Sequence, residues 1–100
     1  MPEYTVLVCY ELQTNKKNNF IHILESDNGL PLMRKWKGNL SVDCYQSVED
    51  NDVILLLHKW CSKENYENYI QMRKDTGFEN IINTYLISIP EPSILNRKIL

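Results

Sequence analysis

The residues with chemical potential gather between positions 58 and 73. His58 and Trp60 are two apart at the end of VILLLHKW, Val53–Trp60, so on a strand they share a face. Tyr66, Tyr69 and Arg73 follow at spacings of three and four, which sets them on one stripe of a helix. If those two faces meet, they enclose an aromatic-walled space. It would hold a phenol, a guanidinium and a histidine whose ordinary pKa range suits a proton shuttle near neutrality. Each residue also has a plainer reading. His58 fits a hydrogen-bonded, half-buried strand histidine, and Trp36, Trp60, Tyr66 and Tyr69 fit ordinary core packing. An arginine on an apolar stripe ordinarily snorkels, its stem buried and its head in water.

Other chemistries find no pattern. Two His and three Cys show no C-x-x-C or H-x-x-x-H spacing, so no zinc site is expected. The three glycines, Gly29, Gly38 and Gly77, are isolated and make no phosphate-cradling loop. There is no G-x-S-x-G and no reactive-thiol motif. Paired carboxylates occur only in turns such as Glu49-Asp50. With 11 Lys+Arg against 13 Asp+Glu and a net charge of −2, no basic surface for a nucleic-acid backbone is expected. An odd number of cysteines without a close pair predicts reduced thiols and a cytoplasmic location. The first residues, MPEYTVLVCYELQ, suggest neither a signal peptide nor a membrane span.

The run of five apolar residues, Val53–Leu57, is too short for a buried helix, and the acidic turn EDND precedes it. It reads as a strand buried on both faces. Ser62 is a good N-cap, Glu64 suits the first turn and Gly77 offers a stop, which predicts a helix over about 63–76. Residues 4–12 read as an interior strand, with Val6, Val8, Tyr10 and Leu12 on one side. Thr14 or Asn15 can cap a helix in which Phe20, Ile21, Ile23 and Leu24 share a side and His22 faces water. Residues 30–36, with Pro31 near the start, make a short second helical segment, and Gly38-Asn39 turns the chain. Residues 40–48 alternate as an edge strand in a hairpin with 53–60. In 78–89, Phe78, Ile81, Ile82, Tyr85, Leu86 and Ile89 fall on one helical stripe, which predicts a helix up to Pro90. Residues 93–100 then return as a fourth strand.

The resulting order suits an α+β fold of ferredoxin-like type: an antiparallel sheet with helices on one face and 4–12 and 53–60 at its centre. An RNA-recognition domain shares that order, but its third strand carries basic-Gly-aromatic residues, and VILLLHKW does not. One sheet face is left bare, with roughly six sizeable apolar side chains. At about 1.5–3 kcal/mol each, leaving them wet rivals the whole stability of a small domain, about 5–15 kcal/mol. A second copy, sheet against sheet, is the expected cover, so a homodimer is expected.

The stretch LPLMRKWKGNL through QMRKDTG resembles the antibiotic biosynthesis monooxygenase family of small dimeric α+β-barrel proteins. That family tends to show an aromatic-x-Gly before the second strand, here Trp36-Lys37-Gly38. An acidic turn precedes its third strand, which ends in Trp and runs into a Trp-x-Ser helix start, here Trp60-Cys61-Ser62. An aromatic lies four residues on, at Tyr66. The resemblance covers most of the chain and implies one ferredoxin-like domain over 1–100 that pairs into a barrel. It also implies a monooxygenase that needs no metal, haem or flavin, because the substrate supplies the electrons. A small aromatic or quinol-type molecule loses a proton and its anion meets O2. On that reading His58 is the base, Tyr69 and Arg73 donate to the oxyanion, and Trp36, Trp60 and Tyr66 wall the pocket.

The chain departs from the family at three places. His58 stands where many members carry Glu, and Tyr69 where many carry His. No His occupies 79–81, where the haem-degrading branch has its ligand, so haem degradation is not expected. A non-catalytic dimeric ligand-binding or stress-response module, or a small-metabolite isomerase, stays open on the same fold. A cavity of roughly 300 Å³ or more beside His58 and Tyr69 favours an enzyme; a packed, dry interior favours a structural role.

Overall fold

A computed structural model describes residues 3–95 and 99–100. Its elements are β1 (Tyr4–Glu11), α1 (Lys17–Glu25), α2 (Leu30–Lys35), β2 (Asn39–Gln46), β3 (Val53–Trp60), α3 (Lys63–Asp75), α4 (Phe78–Asn83) and β4 (Ser93–Ile94). The four strands form one antiparallel sheet in the order β2-β3-β1-β4. The two most apolar strands, β1 and β3, hold the centre, and the alternating β2 holds an edge. This is a ferredoxin-like α+β arrangement with the helices on one face.

The register sorts side chains between two different environments. Val6 pairs with His58, Val8 with Leu56 and Tyr10 with Ile54, and across the hairpin Val42 also pairs with His58. These residues face the helices, and there Val6, Val8, Val42, Ile54, Leu56 and Trp60 are buried with Phe20, Leu24, Tyr69 and Ile82. On the opposite face Leu7 pairs with Leu57 and Cys9 with Leu55, flanked by Tyr45 and Val53. None of those six is buried. The expectation that β3 is buried on both faces is therefore corrected for the single chain. Its burial alternates strictly, because the helices reach only one side.

Three boundaries differ from the sequence reading. The first helix starts at Lys17, and Lys16, which makes no side-chain cap, precedes it. Asn15 instead takes a left-handed turn at φ 67°, a conformation asparagine tolerates better than most residues. The predicted helix over 78–89 stops at Asn83. Leu86 bridges to Leu12, and the backbone bonds Gln13 N to Tyr85 O (3.0 Å) and Ile87 N to Glu11 O (2.8 Å) continue that pairing. The end of β1 offers ladder partners that a continuing helix could not satisfy, and they override the helical stripe. The returning strand covers Ser93 and Ile94, paired with Leu7 and Val6. The expectation for 96–98 lies outside the described residues.

Candidate functional site

β3 and α3 build the site, and local chemistry fixes both. β3 ends where Cys61 N donates to Gly38 O at 2.8 Å. Ser62 then caps α3, its Oγ accepting from Asn65 N at 3.1 Å. That cap sets the phase of α3, so Tyr69 and Arg73 turn inward and are buried, with Tyr66 and Ile70 half-buried beside them. The inward faces of β3 and α3 leave a cavity of about 330 Å³. His58, Tyr66, Tyr69 and Arg73 line it, together with Tyr10, Leu56, Gly29, Lys74, Phe78 and Glu79.

His58 is 2% exposed, and its Nδ1 accepts from Trp60 Nε1 at 2.7 Å. An indole N–H can only donate, so Nδ1 is unprotonated and Nε2 carries the hydrogen of the neutral ring. Burial pushes the His58 pKa down to about 4, because the imidazolium would lose its hydration. Both features weigh against the proton shuttle expected of it. Near neutrality His58 is uncharged and its only basic nitrogen is occupied. What it offers the cavity is an Nε2–H donor.

Arg73 does not snorkel: it is 4% exposed. Its Nε donates to Tyr69 Oη at 2.6 Å, Nη1 to Asn28 O at 2.6 Å and Nη2 to Gly29 O at 2.8 Å. The guanidinium carbon lies 3.9 Å from the Phe78 ring centroid and 5.0 Å from that of Tyr69, which adds cation–π attraction. Arg73 thus ties α3 to the loop between α1 and α2 while it forms part of the cavity wall. Burial raises the Tyr69 pKa, and Arg73 offsets part of that rise. Because Tyr69 Oη already accepts from an obligate donor, its own hydrogen is left to donate. Burial also pushes Tyr66 up to about 12, with the Tyr4 phenol and Glu79 adding to the rise.

The two tryptophans stand elsewhere than the sequence reading put them. Trp60 is fully buried behind the wall, its ring centroid 5.1 Å from Tyr69 and 6.1 Å from Tyr66. Trp36 backs Tyr69 at 6.2 Å. Neither lines the cavity; they buttress residues that do, because two indoles would fill the space between one strand and one helix. Sequence reasoning missed Glu79, the one carboxylate among the lining residues. The available signal was its place in α4: Glu79 and Asn83 lie one position over from the inward Phe78 and Ile82. Among the described residues, no group of three or more His, Cys, Asp or Glu could hold a metal ion.

No family model matches the chain, and no curated protein sequence matches it. Solved structures do. A conserved protein from Methanosarcina mazei Go1 superposes with a TM-score of 0.86 at 17% identity, over 98% of this chain and 95% of that one. A candidate antibiotic biosynthesis monooxygenase from Bordetella bronchiseptica gives 0.83 at 15% identity over 100% of both chains. The chain has the fold of the antibiotic biosynthesis monooxygenases. A monooxygenase of that fold from Streptomyces coelicolor, solved with the ligand nanaomycin D, gives 0.79 at 13% identity over 99% of this chain and 90% of that one. At these identities the likeness to the monooxygenases is one of fold.

Proposed function

We propose that this chain is a cofactor-independent monooxygenase for a small aromatic or quinol-type substrate, working as a homodimer. The observation that carries this reading is the cavity of about 330 Å³ between β3 and α3. It is apolar over most of its wall, and donors are set into it. That is the size and character of a small-molecule site, and a neighbour of the same fold is solved with a small ligand. A packed interior would have favoured a purely structural role.

In the proposed reaction a quinol-type ring gives up a proton and its electron-rich anion meets O2. One oxygen atom enters the ring carbon and the other leaves as water. The four electrons O2 takes up all come from the substrate, as when a hydroquinone becomes a hydroxyquinone. The protein has to seat the ring, keep bulk water out and stabilise the anion. Tyr69 O–H, Arg73 and His58 Nε2–H suit the last task, since fixed donors gain strength in a dry site. Glu79 takes the role of proton acceptor that His58 cannot fill. Trp36 and Trp60 hold Tyr69 in place from behind.

The bare sheet face supports the dimer. Leu7, Leu55, Leu57, Val53, Cys9 and Tyr45 lie together on it, Tyr45 being 54% exposed. The subunit is a slab of 41 × 34 × 20 Å, two layers thick. A second sheet packed on that face buries it as a β-sandwich would.

The test is oxygen uptake by the purified protein with a panel of hydroquinones and no added cofactor. Uptake matched by formation of the hydroxylated quinone is expected. No uptake with any member, from protein that is folded, would sink the oxygenase reading.

A further inference from the structure

We propose that the cavity takes its ligand as an oxyanion: a flat, apolar molecule carrying a carboxylate or an equally acidic enol, with its oxygens against Arg73. This rests on the small-molecule site proposed above and narrows what occupies it.

The first observation is a buried cation without an anion. The acceptors of Arg73 are two backbone carbonyls and a phenol, all neutral. Among the described residues the only ion pair is the exposed Lys59–Glu3, at 3.9 Å. Buried charges in proteins are ordinarily paired, and this one forms part of a cavity wall. A guanidinium has five N–H groups. Three are used, so each terminal nitrogen keeps one N–H.

The second observation is the direction of the other polar groups. Two internal hydrogen bonds fix it. Trp60 makes His58 a donor, and Arg73 makes Tyr69 a donor. Lys74 also lines the cavity, and its ammonium can only donate. Against these stands the Glu79 carboxylate, which helps keep the Tyr10 and Tyr66 phenols protonated and makes no ion pair with Arg73. A neutral hydroxyl ligand can accept from these groups, but it brings no negative charge to Arg73 and the donors beside it. A ligand with two acceptor oxygens at the Arg73 end satisfies them.

The experiment is anaerobic binding to the whole protein of 1-naphthoate and 1-naphthamide, which are alike in shape and differ in charge. Calorimetry at pH 7.5 is expected to show naphthoate binding at least about tenfold more tightly. The preference should survive about 0.5 M NaCl, because a buried pair is screened far less than a surface one. In Arg73→Met it should shrink to within about twofold, with naphthamide binding retained as proof that the cavity persists. If that variant does not fold, the salt series on the unaltered protein decides. Equal affinities, tighter naphthamide, no binding of either below about 1 mM, or a preference erased by salt would each overturn the proposal. Oxygen is absent from these measurements, so the two readings fail separately. An acid preference without hydroquinone turnover removes the oxygenase alone, and turnover without an acid preference removes the oxyanion site alone.

Discussion

The bond from Trp60 Nε1 to His58 Nδ1 joins two residues that the sequence already placed on one strand face, and it changes what the histidine can do. It also makes stability depend on pH. The folded-state pKa of His58, about 4, lies below its unfolded value of about 6.5. Between those values the unfolded chain binds more protons than the folded one, so acid favours unfolding. The contribution is complete above about pH 6.5 and is lost as the pH falls toward 4. Urea unfolding of the unaltered protein at pH 7 and pH 4.5 should differ by about 2–3 kcal/mol from this residue. His58→Gln, which can still accept from Trp60, should lack that share of the difference. Equal losses in the two proteins would mean that the ring is hydrated or charged in the folded state.

At the scale of elements, the site depends on how closely α3 and the loop after α1 approach. Gly29 is the contact point. A Cβ there would lie 2.4 Å from the carbonyl oxygens of Ile23 and Leu24, both backbone atoms with no rotamer to adopt, and Gly29 O is one of the Arg73 acceptors. Gly29→Ala should cost at least about 2 kcal/mol in thermal or urea unfolding and weaken ligand binding along with stability. Gly77 is the control. A Cβ there meets nothing within 4 Å, but φ is 79°, so Gly77→Ala should cost only the strain of a left-handed alanine, about 1–2 kcal/mol. Equal effects at the two glycines would mean that the loop gives way easily. The caps and turns of these elements were legible beforehand: Ser62 and Gly77 bound α3 as read. The end of α4 was not, because the apolar spacing in 78–89 fits a helix. Only the free ladder groups at the end of β1 decide that 85–87 pairs instead.

At the scale of the molecule, the lopsided sheet gives a direct prediction. Leu55 sits on the bare face opposite Cys9 and Tyr45, away from the helices and the cavity. Sedimentation at micromolar concentration should show a dimer, and Leu55→Asp should give a folded monomer, because an unpaired carboxylate at the centre of an apolar interface costs several kcal/mol. A monomer before the substitution, or a dimer after it, would end the sheet-to-sheet arrangement. The same substitution leaves the cavity wall untouched, so its effect on ligand binding tests whether pairing supports the site.

The order of elements, the central place of β1 and β3, the inward stripe of α3 and the shared face of His58 and Trp60 were all determined by the sequence alone. Each follows from local periodicity, capping and the alternation of a strand. The roles within the site were decided only by tertiary structure. Whether an imidazole accepts or donates depends on which group lies 2.7 Å away. Whether an arginine reaches water depends on whether carbonyls from a distant loop meet it first. Which aromatics wall a cavity, and which stand behind it, depends on the depth at which two elements pack. Those are facts about neighbours far apart in the chain, and no spacing along the chain encodes them.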